Sequence, residues 1–236
     1  MRVVSLVPSL TEAVATTAPG LLVGATDYCT HPADLDVARV GGSKYPSIEK
    51  ILATKPDLVL MNEEENRRED ADALRRAGIE LFITFPRTVD EGLDDLARLF
   101  TALLLPVPVW LDEARAAWAA PKGAARSRTA VIPVWRRPWV VLGGGTFAGD
   151  VLARLGVSNV YAGAPDRYPR PSLDDLRASG ADLVVLPDEP YAFRADDGPE
   201  AFPGMRCVLV SGRHLTWYGP SLAEAPQVLG QQLEVA

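Results

Sequence analysis

The segment PSIEKILATKPDLVLMNEE at 46–64 returns as PSLDDLRASGADLVVLPDE at 171–189, without a gap and at an offset of 125 residues. Each copy opens on Pro-Ser, runs through a short helical pattern, reaches an Asp ahead of an apolar strand and ends acidic. A chain that spells one helix-strand unit twice has two similar α/β lobes to build, because a parallel strand that is apolar on both faces needs helices over both. Two copies are too few for a solenoid, which needs about three or more stacked repeats to bury its faces.

A weaker echo joins RVVSLVPSLTEAVATTAPGLLVGA near the start to WVVLGGGTFAGDVLARLGVSNVYAG at 139–163. Each has an aliphatic strand, a small or polar turn at Pro8-Ser9 or at 143–146, a helical segment and a second aliphatic stretch. In the first lobe the pattern predicts strands at 3–7, 21–25, 58–61 and 81–85. It also predicts a helix opening near Ser9 with the hydroxyl as cap, and a helix over 68–77. In the second lobe it predicts strands at 139–142, 157–161, 183–186 and 208–210, and a closing helix over 221–233 despite Pro226. Between the lobes, DEGLDDLARLFTALL at 90–104 places Leu93, Leu96, Leu99, Phe100, Leu103 and Leu104 on one helical stripe. Pro106 and Pro108 then interrupt it, and a second helical segment resumes over 109–120. The expected fold class is α/β: two similar Rossmann-like lobes with central parallel sheets, joined by a helical linker, with a ligand cleft between them. The expected boundaries are 1–88 for the N-terminal lobe, 89–126 for the linker and 127–236 for the C-terminal lobe.

The formal net charge of -7, from 24 basic and 31 acidic groups in 236 residues, excludes an extended nucleic-acid surface, which needs a concentrated basic footprint. No apolar run reaches the roughly 18 residues of a membrane span. Met1 and Arg2 pass directly into an apolar strand, leaving no room for a targeting segment, so the chain reads as cytoplasmic, or as periplasmic or extracellular if a leader has been removed. Cys29 and Cys207 stand 178 positions apart and form no short-spaced metal motif.

Several residues could carry chemistry. Cys29 and His31 could form a nucleophile pair, but no orienting third group is evident, and His214 is the only other histidine. VLGGGTF at 141–147 lacks the Lys-Ser/Thr of a phosphate loop and the spacing of a dinucleotide fingerprint; its glycines fit a tight strand-to-helix turn and close approach of a ligand. Glu63, Glu64 and Glu65 invite a carboxylate-pair reading, yet the sequence shows no opposed geometry. The first lobe offers Pro8, Ser9, Tyr28, Tyr45, Asn62 and Glu63 at expected strand ends; the second offers Trp135, Arg167, Tyr168, Tyr191 and Arg194. This aromatic and polar collection suits a ligand of medium size. In LVLMNEEENRRED, residues 58–61 are the expected strand, Asn62 and Glu63 its mouth, and 64–70 the start of the next helix.

RVVSLVPSLTEAV, GGSKYPSIEKILATKPDLVL and PSLDDL with ADLVVLPDEPYAF together resemble the helical-backbone metal receptor superfamily, the class III periplasmic substrate-binding proteins. Within it the chain most resembles the cobalamin-binding component of vitamin B12 ABC importers. The resemblance covers nearly the whole chain. It implies a non-enzymatic binding protein that captures cobalamin or a related corrinoid between its lobes, the cobalt being carried by the ligand with no intrinsic cofactor or protein-bound metal. Tyr28 and Tyr168 fall at corrin-contacting aromatics, and Pro8, Ser9, Tyr45, Asn62, Glu63, Arg194 and Trp217 complete the implied site. Delivery to an ABC permease is implied through acidic residues at Glu69 and Asp174. The chain departs from the family pattern at Asn62, where a tryptophan is expected, at Arg68, where a docking glutamate is expected, and near Trp217, where an arginine is expected. The alternatives are a cytoplasmic corrinoid-processing enzyme or accessory, and a binding protein for an iron-siderophore or haem-like ligand.

Overall fold

The computed structural model describes residues 1–119 and 128–235. They fall into two compact units. The first holds Met1–Phe85, Leu93–Asp112 and Tyr218–Pro220; the second holds Pro86–Gly92 and the described residues of Glu113–Trp217 and Ser221–Ala236. The expected boundary between 126 and 127 lies outside the described residues.

In chain order the first part of the fold is β1 (Val3–Ser5), α1 (Pro8–Thr17), β2 (Leu22–Ala25), β3 (Ala38–Arg39), α2 (Ile48–Ala53), β4 (Leu58–Asn62), α3 (Arg68–Arg76) and β5 (Glu80–Thr84). The strands form one parallel sheet in the order β3-β2-β1-β4-β5. All five β4 residues are buried, as a strand covered on both faces requires. Val4, Leu6, Val59, Met61, Ile51 and Leu74 form the core of this unit. Each large aliphatic side chain withdrawn from water there contributes about 1.5–3 kcal/mol.

The predicted cap on α1 is corrected. Pro8 takes the first helical turn, where its missing amide costs nothing, Val7 is the cap residue without a side-chain bond, and Ser9 lies inside the helix. The helix predicted over 68–77 is α3, and only the reading of 64–67 as its start is corrected: Asn62 Oδ1 accepts from the amides of Glu64 (2.8 Å) and Glu65 (3.4 Å) and bends residues 63–66 into a turn.

The helices α4 (Val89–Ala102) and α5 (Val109–Ala119) connect the two sheet-bearing parts, interrupted where the prolines require. Here α4 closes with a double cap: Leu104 N donates to Thr101 O at 3.0 Å and Leu105 N to Phe100 O at 2.9 Å. The residue in the left-handed position of this cap is Leu104, with φ 58° and 86% exposure. The same pair of bonds ends α3, where the position is Gly78.

The second unit contains β6 (Arg128–Val131), β7 (Pro133–Trp135), β8 (Val140–Val141), α6 (Phe147–Arg154), β9 (Val157–Asn159), α7 (Leu173–Arg177), β10 (Leu183–Pro187), β11 (Cys207–Val210), α8 (Gly212–Thr216) and α9 (Ala225–Val235). Its parallel sheet runs β11-β10-β6-β9. The strand predicted at 139–142 is not the counterpart of β1. Val140–Val141 pairs antiparallel with β7 in a separate ribbon, and β6, absent from the sequence reading, takes the central place. Registers prove the equivalence: Val3 lies opposite Leu58, and Ala130 opposite Leu183. The closing helix starts at Ala225, which puts Pro226 in its first turn, where a missing amide is tolerated, instead of interrupting it.

The long repeat survives in detail at its offset of 125. Ser47 Oγ caps α2 by accepting from Lys50 N at 3.3 Å, and Ser172 Oγ caps α7 by accepting from Asp175 N at 3.1 Å. The Asp before β4 and the Asp before β10 each hold an amide at the start of the neighbouring strand: Asp57 Oδ2 accepts from Arg2 N, just ahead of β1, at 2.6 Å, and Asp182 Oδ2 from Thr129 N, the second residue of β6, at 2.7 Å. No helix among the described residues is long and apolar enough to cross a membrane.

Candidate functional site

A parallel sheet presents its ligand-competent edge at the carboxyl ends of its strands, above all where strand order reverses. In the first unit that point lies between β1 and β4, where Pro8, Ser9 and Asn62 fall. The crevice is filled by the chain itself. Tyr218 is buried there, and its hydroxyl accepts from Asn62 Nδ2 at 2.8 Å and bonds Thr84 Oγ1 at 2.7 Å. Thr84 Oγ1 donates onward to Met61 O at 3.2 Å, so the Tyr218 hydroxyl donates to Thr84 and accepts from Asn62. Gly219 follows, so close that a side-chain carbon on it would lie 3.0 Å from Ser9 O. Burial, with Glu65 nearby, pushes the Tyr218 phenol well above its ordinary pKa. Ser9 and Asn62 are both buried, at 3% and 4% exposure, under this strap.

Exposed aromatic surface lies beside the crevice. The loop GGSKYP at 41–46 is closed by a bridge between Gly41 and Pro46 and anchored by Asn66, whose Nδ2 donates to Ser43 O at 2.9 Å. Gly41 sits at φ 96°, a conformation that favours glycine. Tyr45 stands out from this loop with the Arg67 guanidinium 4.7 Å from its ring centre, and Arg67 is itself forked onto buried Asp70 at 2.8 and 2.7 Å. The Tyr28 ring reaches the same loop, 3.4 Å from where a side-chain carbon on Gly42 would sit. Tyr28 and Tyr45 are therefore presented together, at 66% and 71% exposure, by braced backbone. Glu63 is exposed at the adjoining end of β4.

In the second unit the segment DRYPRP at 166–171 carries the exposed Tyr168. Its backbone is pinned by Gly143 N donating to Arg167 O at 2.7 Å and Val141 N donating to Pro169 O at 3.0 Å. This explains the triple glycine differently from the sequence reading. A side-chain carbon on Gly143 would fall 2.2 Å from Asp166 O, and one on Gly144 2.3 Å from Ala162 O, so these two glycines admit neighbouring backbone. Pro165, Asp166, Arg167, Tyr168 and Arg170 line a surface concavity of 660 Å³. Exposed Trp135 meets Tyr191 edge to face at 5.7 Å, and Tyr191 donates to Asp197 Oδ2 at 2.7 Å. Arg136 pairs with Asp197 and Glu200 beneath them. Arg194 is exposed, its backbone bridged to Asp197, whereas Trp217 is buried with Nε1 donating to Glu189 Oε2 at 3.3 Å.

The nucleophile candidates separate. Cys29 is buried against the hydroxyls of Thr11 (3.0 Å) and Thr26 (3.2 Å), and its burial pushes the thiol pKa up, while His31 is exposed. The structure does assemble one serine, histidine and glutamate array that sequence reasoning missed: His214 Nδ1 lies 2.7 Å from Ser211 Oγ, and Nε2 3.0 Å from Glu224 Oε1. Its nearest amides are committed, Ser211 N to Gln232 Oε1 at 3.0 Å and Gly212 N to Asp188 Oδ1 at 2.6 Å, so they cannot serve a developing oxyanion. The array joins α8 to its neighbours. Among the described residues no group of three or more His, Cys, Asp or Glu side chains could hold a metal ion.

No family model matches the chain. Among curated proteins it is similar to the vitamin B12-binding protein of Photorhabdus laumondii, 25% identical over 245 aligned positions that cover 99% of this chain and 88% of the relative. Among solved structures, the periplasmic vitamin B12 binding protein of Vibrio cholerae superposes with a TM-score of 0.74 at 20% identity, covering 99% of this chain and 96% of that one. The periplasmic heme-binding protein RhuT of Roseiflexus sp. RS-1 superposes with a TM-score of 0.79 at 23% identity, covering 98% and 97%. The fold is that of the helical-backbone periplasmic solute-binding proteins.

Proposed function

We propose that the chain is a non-enzymatic binding protein for a metal-bearing tetrapyrrole, a class that includes both cobalamin and haem. The observation that carries this reading is the pair of exposed tyrosines held on braced backbone, Tyr28 and Tyr45 in one unit, together with Tyr168 on the pinned 166–171 segment of the other. A flat macrocycle is bound chiefly by apolar burial and stacking, and anchors already fixed before binding lose little entropy on contact. Relatives named for vitamin B12 and structures named for heme support the class from both sides, and the cobalamin-only reading has no more support than the haem-like alternative. An iron-chelate ligand is the second reading. In the first unit Ser9 and Asn62, both buried, serve in this proposal to position the β1–β4 crevice, which Pro8 and Glu63 border; in the second, Trp217 is buried and Arg194 is exposed.

The periplasmic placement of the solved relatives favours the extracytoplasmic arm of the location reading over the cytoplasmic one, and fractionation of the native cell tests it. Docking on a permease through Glu69 and Asp174 belongs to the same proposal; both are exposed, in the first turns of α3 and α7. The deciding experiment is titration of the purified chain with hydroxocobalamin and with iron protoporphyrin, followed by visible absorbance and calorimetry. A saturable spectral change with one of them, weakened by Tyr45→Ala or Tyr168→Ala by about 1–3 kcal/mol, is the expected result. No saturable binding of either macrocycle defeats the proposal.

A further inference from the structure

We infer that the turn between α4 and α5 is a contact for a zwitterionic lipid surface, into which Leu104, Val107 and Val109 insert. The inference is independent of which ligand the chain binds. Leu104, Val107 and Val109 are 86%, 48% and 73% exposed, and Pro106 among them is exposed as well. From Leu99 to Leu111 the chain carries no charged side chain. A contiguous exposed apolar stretch of this kind marks an interaction surface.

Fold stability does not account for Leu104. At φ 58° it fills the left-handed cap position that the matching cap of α3 gives to Gly78, a conformation that disfavours a side chain. Its side chain lies almost wholly in solvent and returns little packing energy. Strain held at an exposed apolar residue points to a role outside the fold. The backbone of the turn also suits a non-aqueous surface. Leu104 N and Leu105 N are bonded to Thr101 O and Phe100 O, and Pro106 and Pro108 have no amide to satisfy. Water would satisfy free amides at such a turn, whereas lipid chains cannot. Trp110 braces the turn, its Nε1 donating to Thr17 Oγ1 at 3.0 Å and its ring meeting Phe100 edge to face at 5.7 Å.

A second copy of the chain fits less well, because three aliphatic side chains and a proline fall far short of the roughly 800 Å² per partner that a stable interface buries. Anionic lipid is disfavoured by the net charge of -7 and by exposed Asp112 in the first turn of α5. Shallow insertion of so few side chains makes the contact weak and reversible.

The test is cosedimentation of the intact chain with sucrose-loaded phosphatidylcholine vesicles, with and without phosphatidylglycerol, at low and high salt. The wild type is expected to partition onto phosphatidylcholine, with no gain from phosphatidylglycerol and no loss in salt. Leu104→Asp should lower the partition coefficient at least about tenfold and Leu104→Gly about fivefold, while Leu104→Met stays within about twofold. Leu104→Gly separates contact from folding, since it is expected to melt higher than the wild type while binding vesicles less. No partitioning of the wild type, equal partitioning of the wild type and all three variants, or binding that needs phosphatidylglycerol and vanishes in salt overturns the inference. Sedimentation velocity without lipid supplies the remaining check: a concentration-dependent dimer that Leu104→Asp abolishes overturns it by assigning the turn to a second copy.

Discussion

Replacing Tyr218 by Phe removes one oxygen from the centre of a buried relay and nothing else. The hydroxyl accepts from Asn62 and donates to Thr84, and the residue is 4% exposed. Without it Thr84 Oγ1 keeps its bond to Met61 O, but Asn62 Nδ2 retains only the long 3.5 Å approach to Thr84 Oγ1. Two well-made bonds lost, with one buried amide donor left poorly satisfied, cost about 1–3 kcal/mol, with 2 kcal/mol as a working figure of about that size. With a urea slope of about 2 kcal/mol/M, the transition of the first unit should move down by about 1 M. The assay is urea unfolding followed by circular dichroism, with Thr84→Val and the double variant completing a cycle. A coupled relay makes the double variant cost less than the sum of the singles. The pH dependence has a fixed sign. The Tyr218 phenol is raised in the folded chain, so the folded chain holds a proton that the unfolded chain releases near pH 10, and stability falls as pH rises past that point. The wild-type advantage over Tyr218→Phe should therefore be constant at neutral pH and shrink above about pH 10. A midpoint shift below about 0.2 M, or an advantage that grows with alkali, refutes the relay.

Leu104→Gly should stabilise the chain by about 0.5–1 kcal/mol, since it relieves a left-handed leucine in the cap where α3 already uses Gly78, and the lost leucine surface is 86% exposed; thermal denaturation reads the gain, and a loss of stability contradicts it. Asp182 has its pKa lowered by the Thr129 amide and hydroxyl, so its contribution is present above the ordinary carboxylate pKa and lost as pH falls through the folded value. Asp182→Asn should accordingly be less stable than the wild type at pH 7 and approach it toward pH 3, and a gap that stays constant with pH argues against the brace. Gly212→Ala would place a carbon 2.3 Å from Glu189 Cγ and 2.7 Å from Glu189 N, whereas the site at Gly163 is open; the first should cost about 2–4 kcal/mol and the second well under 1 kcal/mol, and equal melting points would refute the packing.

The scaffold was legible where local chemistry repeats. Ser47 and Ser172, Asp57 and Asp182, and the strands β4 and β10 keep their roles at one offset, and apolar runs bounded by Pro, Gly and Asp are enough to see them. The central strand β6 was missed because Arg128–Val131 is short and only its last two residues are buried, whereas residues 139–142 have the richer apolar pattern and lie in a two-stranded ribbon. For the candidate site residues, the sequence shows side-chain type but not exposure. Tyr28, Tyr45 and Tyr168 stand at the surface, while Ser9 and Asn62 lie under Tyr218, a contact spanning 156 positions that no local pattern announces. Arg170 has no such signal, because an arginine between two prolines reads as ordinary solvated surface.

The acidic ends of the duplicated strands show where ligand recognition should be sought. In the first copy Asn62 holds Tyr218; in the second, Asp188 accepts from Gly212 N and Glu189 from Trp217 Nε1. Both copies thus spend their strand ends on one stretch of chain, 212–218, each within its own unit. Positions retained by the duplication are structural, and the exposed tyrosines Tyr28, Tyr45 and Tyr168 lie outside it. A duplication preserves what both lobes need in order to fold. In the binding reading proposed above, residues without a counterpart at the 125-residue offset are therefore the ones on which ligand identity should depend.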